Sequence, residues 1–248
     1  SGLGHGTGRA RVPGGLTPVQ MPAIPVTVIG GYLGAGKTTL INACLRTRGE
    51  RRIAILVNDF GDINIDAALI ESQGDTVMNL AGGCVCCSIG SDFMEALFQI
   101  AALGEAPGAR PFDHLLVETS GVALPRPLAQ SITLTQQFRI ASILVLADAA
   151  DILQRLADRH VGETVREQLQ QADWLLLTKT DAPAAIDGAQ MQALVPGKPV
   201  LALSRQAYDC DWLLGETDRH PSPAHGGAGL LRPDGDGRWR PVPQRLQQ

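Results

Sequence analysis

One octapeptide, Gly31-Tyr32-Leu33-Gly34-Ala35-Gly36-Lys37-Thr38, constrains this chain more than any other feature. It follows a β-branched run, Val26-Thr27-Val28-Ile29, and opens a helix-permissive stretch from Lys37 to Thr47. The spacing GxxxxGK[ST] in that setting predicts a strand, a phosphate-binding loop and a helix in succession. A backbone that wraps phosphate oxygens leaves no room for Cβ atoms and needs unusual dihedrals, hence Gly31, Gly34, Gly36 and the small Ala35. Lys37 is expected to reach the β- and γ-phosphates, and the Thr38 hydroxyl to ligate Mg²⁺. Thr39 is expected to touch the α-phosphate, and the helix amides add a positive dipole end. A glycine turn that binds nothing would leave Lys-Thr at the helix start unaccounted for.

The rest of the chain supports a fold built around that unit. Short apolar runs recur at Ile53–Val57, Leu115–Val117, Ile143–Leu146, Trp174–Leu177 and Pro199–Ala202. Each is continuous rather than alternating, as strands covered on both faces require. Helical spacing lies between them, as in Phe93/Leu97/Ile100 and Val165/Leu169. Strands alternating with helices predict an α/β domain with a doubly wound, mostly parallel sheet flanked by helices. Residues 24–204 are expected to form that domain. Residues 1–23, rich in Gly and Pro, are expected to be a flexible leader, and 205–248 a short Gly/Pro/Asp-rich extension.

Composition excludes several classes. Twenty-one basic against twenty-five acidic side chains leave a net charge of −4 with no basic run, which disfavours nucleic acid and anionic membrane as partners. No stretch reaches the roughly 18 uninterrupted apolar residues of a membrane span. Five cysteines, three of them clustered, do not form a secreted disulfide framework, so a reducing cytoplasm is the expected location.

Two further segments suit a nucleotide. Leu115-Leu116-Val117-Glu118-Thr119-Ser120-Gly121 ends a buried strand in an acid that can hold Mg²⁺, followed by a glycine that can approach a γ-phosphate. Thr178-Lys179-Thr180-Asp181 follows the run Trp174–Leu177. A carboxylate at Asp181 can accept the N1 and N2 protons of guanine, which adenine does not offer.

Cys84-Val85-Cys86-Cys87 speaks for a soft metal. A thiolate binds Zn²⁺ at about 2.3 Å in a tetrahedral shell, and Gly82-Gly83 favours a turn in which Cys84 with Cys86, or Cys84 with Cys87, shares one ion, which makes Cys84, Cys86 and Cys87 the candidate ligands. The fourth ligand must come from elsewhere, which suits a site that gives its metal up. Zn²⁺ or Cu(I) fits such donors, and Co²⁺ or Ni²⁺ is tolerated. A redox pair or a packed apolar cluster remains open as the other reading. Cys44 falls at core spacing with Leu40 and reads as packing; Cys210, near Asp209, Asp211, His220 and His225, could supply secondary ligands but reads first as a solvated loop. The acidic segment Asn58–Asp66 lies between the two motifs. Its carboxylates could contact Mg²⁺, orient an attacking water or complete the metal shell, and the bland alternative is a solvated acidic loop. Lys37, Asp59 and Glu118 are the candidate catalytic residues.

With these residues in view, the chain resembles the CobW-type metallochaperone GTPases of the SIMIBI class of P-loop proteins, relatives of the nickel-insertion GTPases for hydrogenase and urease. The resemblance rests on Gly31–Leu40, Asn58–Asp66, Gly83–Cys87, Glu118–Gly121, Lys179–Asp181 and the segment Gln168–Asp173. It implies GTP hydrolysis with Mg²⁺, and transfer of Zn²⁺, or in some branches cobalt, nickel or iron, to a client metalloprotein or cofactor-assembly enzyme; with no obvious arginine finger in the sequence, slow turnover is expected. A homodimer stands open beside a monomer. Thr178 occupies a position where the family usually has Asn, and Asp59 and Asp62 stand where Glu is common. The family's C-terminal domain is expected to be largely absent, with only His220 and His225 left of a His-rich loop. A regulatory NTPase with structural thiols and a nucleotide-stabilised metal-binding protein are the competing expectations.

Overall fold

The computed structural model describes residues 22–57, 76–79, 91–203, 213–214, 231–233 and 239–241. The leader to residue 21, the acidic loop with Asp59 and Asp62, the thiols Cys84, Cys86 and Cys87, and Cys210, His220 and His225 lie outside the described residues.

Every apolar run singled out in the sequence lies within a strand, save that Pro199–Ala202 begins one residue before its own. The strands are β1 (Ile24–Gly31), β2 (Ile53–Val57), β4 (His114–Glu118), β5 (Phe138–Asp148), β6 (Trp174–Thr178) and β7 (Val200–Ala202). With β3 (Thr76–Asn79) they form a seven-stranded sheet in the order β3-β2-β4-β1-β5-β6-β7, and every pairing is parallel. The helices are α1 (Lys37–Thr47), α2 (Ser91–Glu105), α3 (Pro125–Ile132), α4 (Ile152–Ala157), α5 (Gly162–Gln171) and α6 (Gly188–Leu194). Strand β3 escaped the sequence reading. Among the described residues Thr-Val-Met-Asn pairs with one neighbour at a sheet edge, so it carries no long apolar run.

Continuous apolar strands bury both faces because successive side chains point to opposite sides. Val26, Val28, Leu115, Val117, Ile143, Val145, Leu175 and Leu177 enter one core, packed with Phe93, Leu97 and Ile100 of α2, Leu128 of α3 and Val165 and Leu169 of α5. Their strand neighbours Ile29, Leu116, Leu144, Leu146, Trp174 and Leu176 enter the opposite core with Leu40, Ile41, Cys44 and Leu45 of α1. Leu213 and Leu214 close that second core. Cys44 is packed there as the sequence implied, and it is also disulfide-bonded, which its spacing did not announce. Asp187 caps α6, accepting from Gln190 N at 2.8 Å while Gln190 Oε1 accepts from Asp187 N at 2.9 Å.

The tail is not wholly irregular. Leu231–Pro233 (β8) and Trp239–Pro241 (β9) pair antiparallel, with Arg232 opposite Arg240. The intervening Asp234-Gly235-Asp236-Gly237 is rich in the Asp-Gly pairs that favour hairpins. The prolines end each strand, where a missing N–H costs least.

Strand order decides where a ligand can bind. The chain leaves β1 toward β2 on one side and later crosses to β5 on the other, so the order reverses beside β1. A crevice opens at the carboxyl ends of strands at such a switch point. The glycine loop stands there, between the ends of β4 and β5.

Candidate functional site

Residues 31–36 turn from β1 into α1 with positive φ at Gly31 (129°), Gly34 (79°) and Gly36 (97°). A Cβ on Gly31 would strike the Leu146 carbonyl oxygen of β5, so both conformation and space demand glycine. Gly34 has open space around it, and there the dihedral alone is the reason. The loop is closed by Ala35 N donating to Tyr32 O at 3.1 Å. Lys37 is buried, and its Nζ donates to Gly31 O at 3.0 Å, so its ammonium lies across the loop it belongs to.

The two residues expected to hold Mg²⁺ are brought together. Thr38 Oγ1 donates to Glu118 Oε1 at 2.9 Å, across 80 residues of sequence. Glu118 ends β4 opposite Ile29 of β1 and is 1% exposed. A hydroxyl and a carboxylate oxygen side by side, at the start of a helix and the end of a neighbouring strand, form a hard-oxygen donor set suited to Mg²⁺. Beyond Glu118, Thr119 N donates to Ile29 O at 2.9 Å and continues the strand, and Ala123 N to Ser120 O at 3.1 Å closes a turn. Gly121 lies within that turn, and a methyl group there would lie 2.6 Å from Leu33 Cγ and 2.8 Å from Leu33 N. The second nucleotide segment therefore rests directly on the first.

The third segment joins from the other side. Thr178 is 4% exposed and its Oγ1 donates to Ala35 O at 2.9 Å, with Ala147 O at 3.2 Å beside it. Thr178 thus ties the end of β6 to the glycine loop. Lys179 has φ 53° and pairs with Asp148 Oδ2 of β5 at 2.5 Å; Asp181 is exposed on the same loop. Sequence reading missed Asp148, although an acid at the end of an apolar strand beside the site was its signal. It also missed the cluster around Tyr32. Arg155 of α4 lies 5.0 Å over the Tyr32 ring and pairs with Asp151 at 2.6 Å, a hydrogen bond that raises the guanidinium pKa. A recess there is lined by Tyr32, Leu33, Asp148, Asp151, Arg155 and Gln168.

Of the residues proposed from sequence, Gly31, Gly34, Ala35, Gly36, Lys37, Thr38, Glu118 and Gly121 share the crevice, with Lys179 and Asp181 on the adjoining loop and Thr39 exposed on α1. Asp59 and the three thiols lie outside the described residues. Among the described residues no group of His, Cys, Asp and Glu has the arrangement of a metal cage.

The family described as "CobW/HypB/UreG, nucleotide-binding domain" matches residues 25–197. The chain is 31% identical over 199 residues to a zinc chaperone CobW from a Sinorhizobium species, covering 69% of this chain and 54% of that protein. It is 33% identical over 168 residues to the zinc-regulated GTPase metalloprotein activator 1 of Schizosaccharomyces pombe, covering 64% of this chain and 39% of the relative. The Zn(II)-bound YjiA GTPase from E. coli shares the fold with a TM-score of 0.56 at 24% identity, over 74% of this chain and 58% of that one. The chain thus spans about half or less of the length of these curated relatives.

Proposed function

We propose, from the premise that the chain belongs to the CobW/HypB/UreG nucleotide-binding domain family, that it binds GTP with Mg²⁺, hydrolyses it slowly and couples that cycle to delivery of Zn²⁺. The observation that carries the reading is the contact between Thr38 Oγ1 and Glu118 Oε1 at 2.9 Å. Two loops far apart in sequence present their oxygens to one another beside a glycine cradle. No packing need of the sheet calls for that pair.

Each residue then has a physical task. The amides of the loop and of the first turn of α1 face the phosphates, and Lys37 exchanges the Gly31 carbonyl for phosphate oxygens. Bound at Thr38 and Glu118, Mg²⁺ supplies positive charge against the charge that builds on the phosphate oxygens. Gly121 stands where its backbone can approach a γ-phosphate, and Asp181 accepts from the guanine edge. Thr178 keeps its hydroxyl on the glycine loop, so it holds the two loops in register rather than reading the base. Asp59 orients the attacking water.

Zn²⁺ is cargo in this reading, held by Cys84, Cys86 and Cys87 with one position open to a client metalloprotein. Co²⁺ and Ni²⁺ are competitors for the same thiolates. Linkage is reciprocal: if metal tightens GTP binding, GTP tightens metal binding by the same factor. The experiment is competitive metal binding at buffered free Zn²⁺, Co²⁺ and Ni²⁺, with and without a non-hydrolysable GTP analogue. Tighter Zn²⁺ binding with the analogue supports the coupling; equal affinity in the GTP and GDP forms sinks it. A Cys86→Ser variant with unchanged metal stoichiometry and hydrolysis reduces the protein to an NTPase with structural thiols.

A further inference from the structure

Gln168 has a place that neither the glycine loop nor the Mg²⁺ pair explains. It lies on α5, a helix anchored in the core by Val165 and Leu169, and it is 1% exposed. Its amide Nε2 donates to two main-chain carbonyls at once, Gly121 O at 3.1 Å and Ala123 O at 2.9 Å. A primary amide carries two N–H groups, so one side chain satisfies both acceptors fully. Both lie in the turn that follows Glu118, the turn already closed by Ala123 N on Ser120 O.

The turn is therefore held from two directions. On one side Gly121 presses on the backbone of Leu33 so closely that no Cβ fits. On the other, Gln168 fixes the peptide planes that leave Gly121 and Ala123. Arg155 on α4 reaches the same glycine loop at Tyr32, so neighbouring helices α4 and α5 grip both phosphate-facing segments. A core glutamine that only filled space would not need two carbonyls of one functional turn.

We infer that Gln168 is a positioning residue for nucleotide-state discrimination: by holding the Gly121 and Ala123 carbonyls it sets the Ser120–Ala123 turn for the γ-phosphate and links that turn to α5. This rests on the GTP reading above. GDP lacks the γ-phosphate, so its binding depends on the glycine loop and not on this turn. The consequence is a selective loss: a residue that merely stabilised the fold would weaken both nucleotides together.

The test is the ratio of affinities for GTPγS and GDP, with Mg²⁺, in the wild-type chain and in Gln168→Glu and Gln168→Met. Glutamate keeps the length but presents oxygens to two carbonyl oxygens; methionine keeps the volume and removes the donors. The expected result is a loss of about tenfold or more in GTPγS affinity, with GDP affinity changed less than threefold and kcat lowered more than KM is raised. GTPγS and GDP affinities that are unchanged, or that fall together, overturn the inference while leaving the GTP reading intact. A wild-type chain that binds neither nucleotide overturns both. Should both variants fail to fold, hydrogen exchange on the wild-type chain decides. GTPγS but not GDP must protect residues 118–123 and 162–171 together, and protection of the first without the second overturns the inference.

Discussion

The two ends of one parallel sheet are built to opposite specifications. At the carboxyl ends of β1, β4 and β6, polar side chains meet across loops: Lys37 on Gly31 O, Thr38 on Glu118, Lys179 on Asp148. The first two of these contacts are the ones that phosphate and Mg²⁺ would replace under the proposed function; the third ties the loop after β6 to the end of β5. At the amino end, His114 opens β4 fully buried, with its Nε2 at 2.9 Å from Thr27 Oγ1 of β1. Thr27 in turn donates to Leu213 O at 3.2 Å. With the Thr27 proton committed there, Nε2–H must be the donor, and Nδ1 has no hydrogen-bond partner among the described residues. One end of the sheet presents charged and hydroxyl groups on loops; the other buries its polar pair between strands. The same strands supply both, so the difference lies in side chains at strand ends and not in the fold.

The comparison breaks first, and by the largest amount, at Lys37. Replacing Lys37 by Ala should lower kcat for GTP by about 10²–10³-fold, the usual cost of one preorganised donor to a charged transition state. Phosphate release measures it, and a melting temperature near wild type shows that the loss is local. Next comes Glu118→Gln, which keeps shape and removes charge. The Mg²⁺ concentration for half-maximal hydrolysis should rise about tenfold or more, within the range for residues that hold a metal through water; an unchanged Mg²⁺ dependence would remove Glu118 from the site.

At the amino end the lever is pH. Burial, with help from Arg139 and Arg51, pushes the His114 pKa down from 6.5 to about 3. The unfolded chain therefore binds the proton first, and the stability of the neutral imidazole is complete above about pH 6.5 and lost as pH falls toward 3. Each unit below 6.5 should cost about 1.4 kcal/mol from this group. Urea midpoints between pH 7 and 5.5 measure the slope, which His114→Gln should flatten. The smallest effect belongs to the exposed pair Arg110–Asp113 at 2.8 Å near the same end. Arg110→Ala should change stability by about 0.5 kcal/mol or less, since solvent screens such pairs. A larger loss would mean that this rim is tighter than its exposure implies.

Much of this was legible in the residues. Strands and helices followed from apolar runs and from 3.6-residue spacing because burial on two faces leaves that mark on local sequence. The glycine loop was legible for a stricter reason: positive φ at Gly31, Gly34 and Gly36 tolerates few alternatives. Edge strand β3 was not legible, since an edge needs few apolar residues, and the β8–β9 ribbon was hidden by its prolines. The roles of Thr178 and Gln168 were also out of reach, because Thr178 meets Ala35 across 143 residues and Gln168 meets Gly121 across 47.

By itself, then, the amino-acid sequence determined the parallel α/β core and the cradle, because patterning and glycine dihedrals are local and act wherever the chain goes. It also named Thr38 and Glu118 for Mg²⁺ and Asp181 for the base. Only the tertiary structure decided that Thr38 Oγ1 and Glu118 Oε1 meet directly, that Gln168 holds the Gly121 turn, and that His114 is locked neutral at the far end. Such pairings are made by the crossover of strands past β1, and no stretch of sequence carries the order in which strands finally lie.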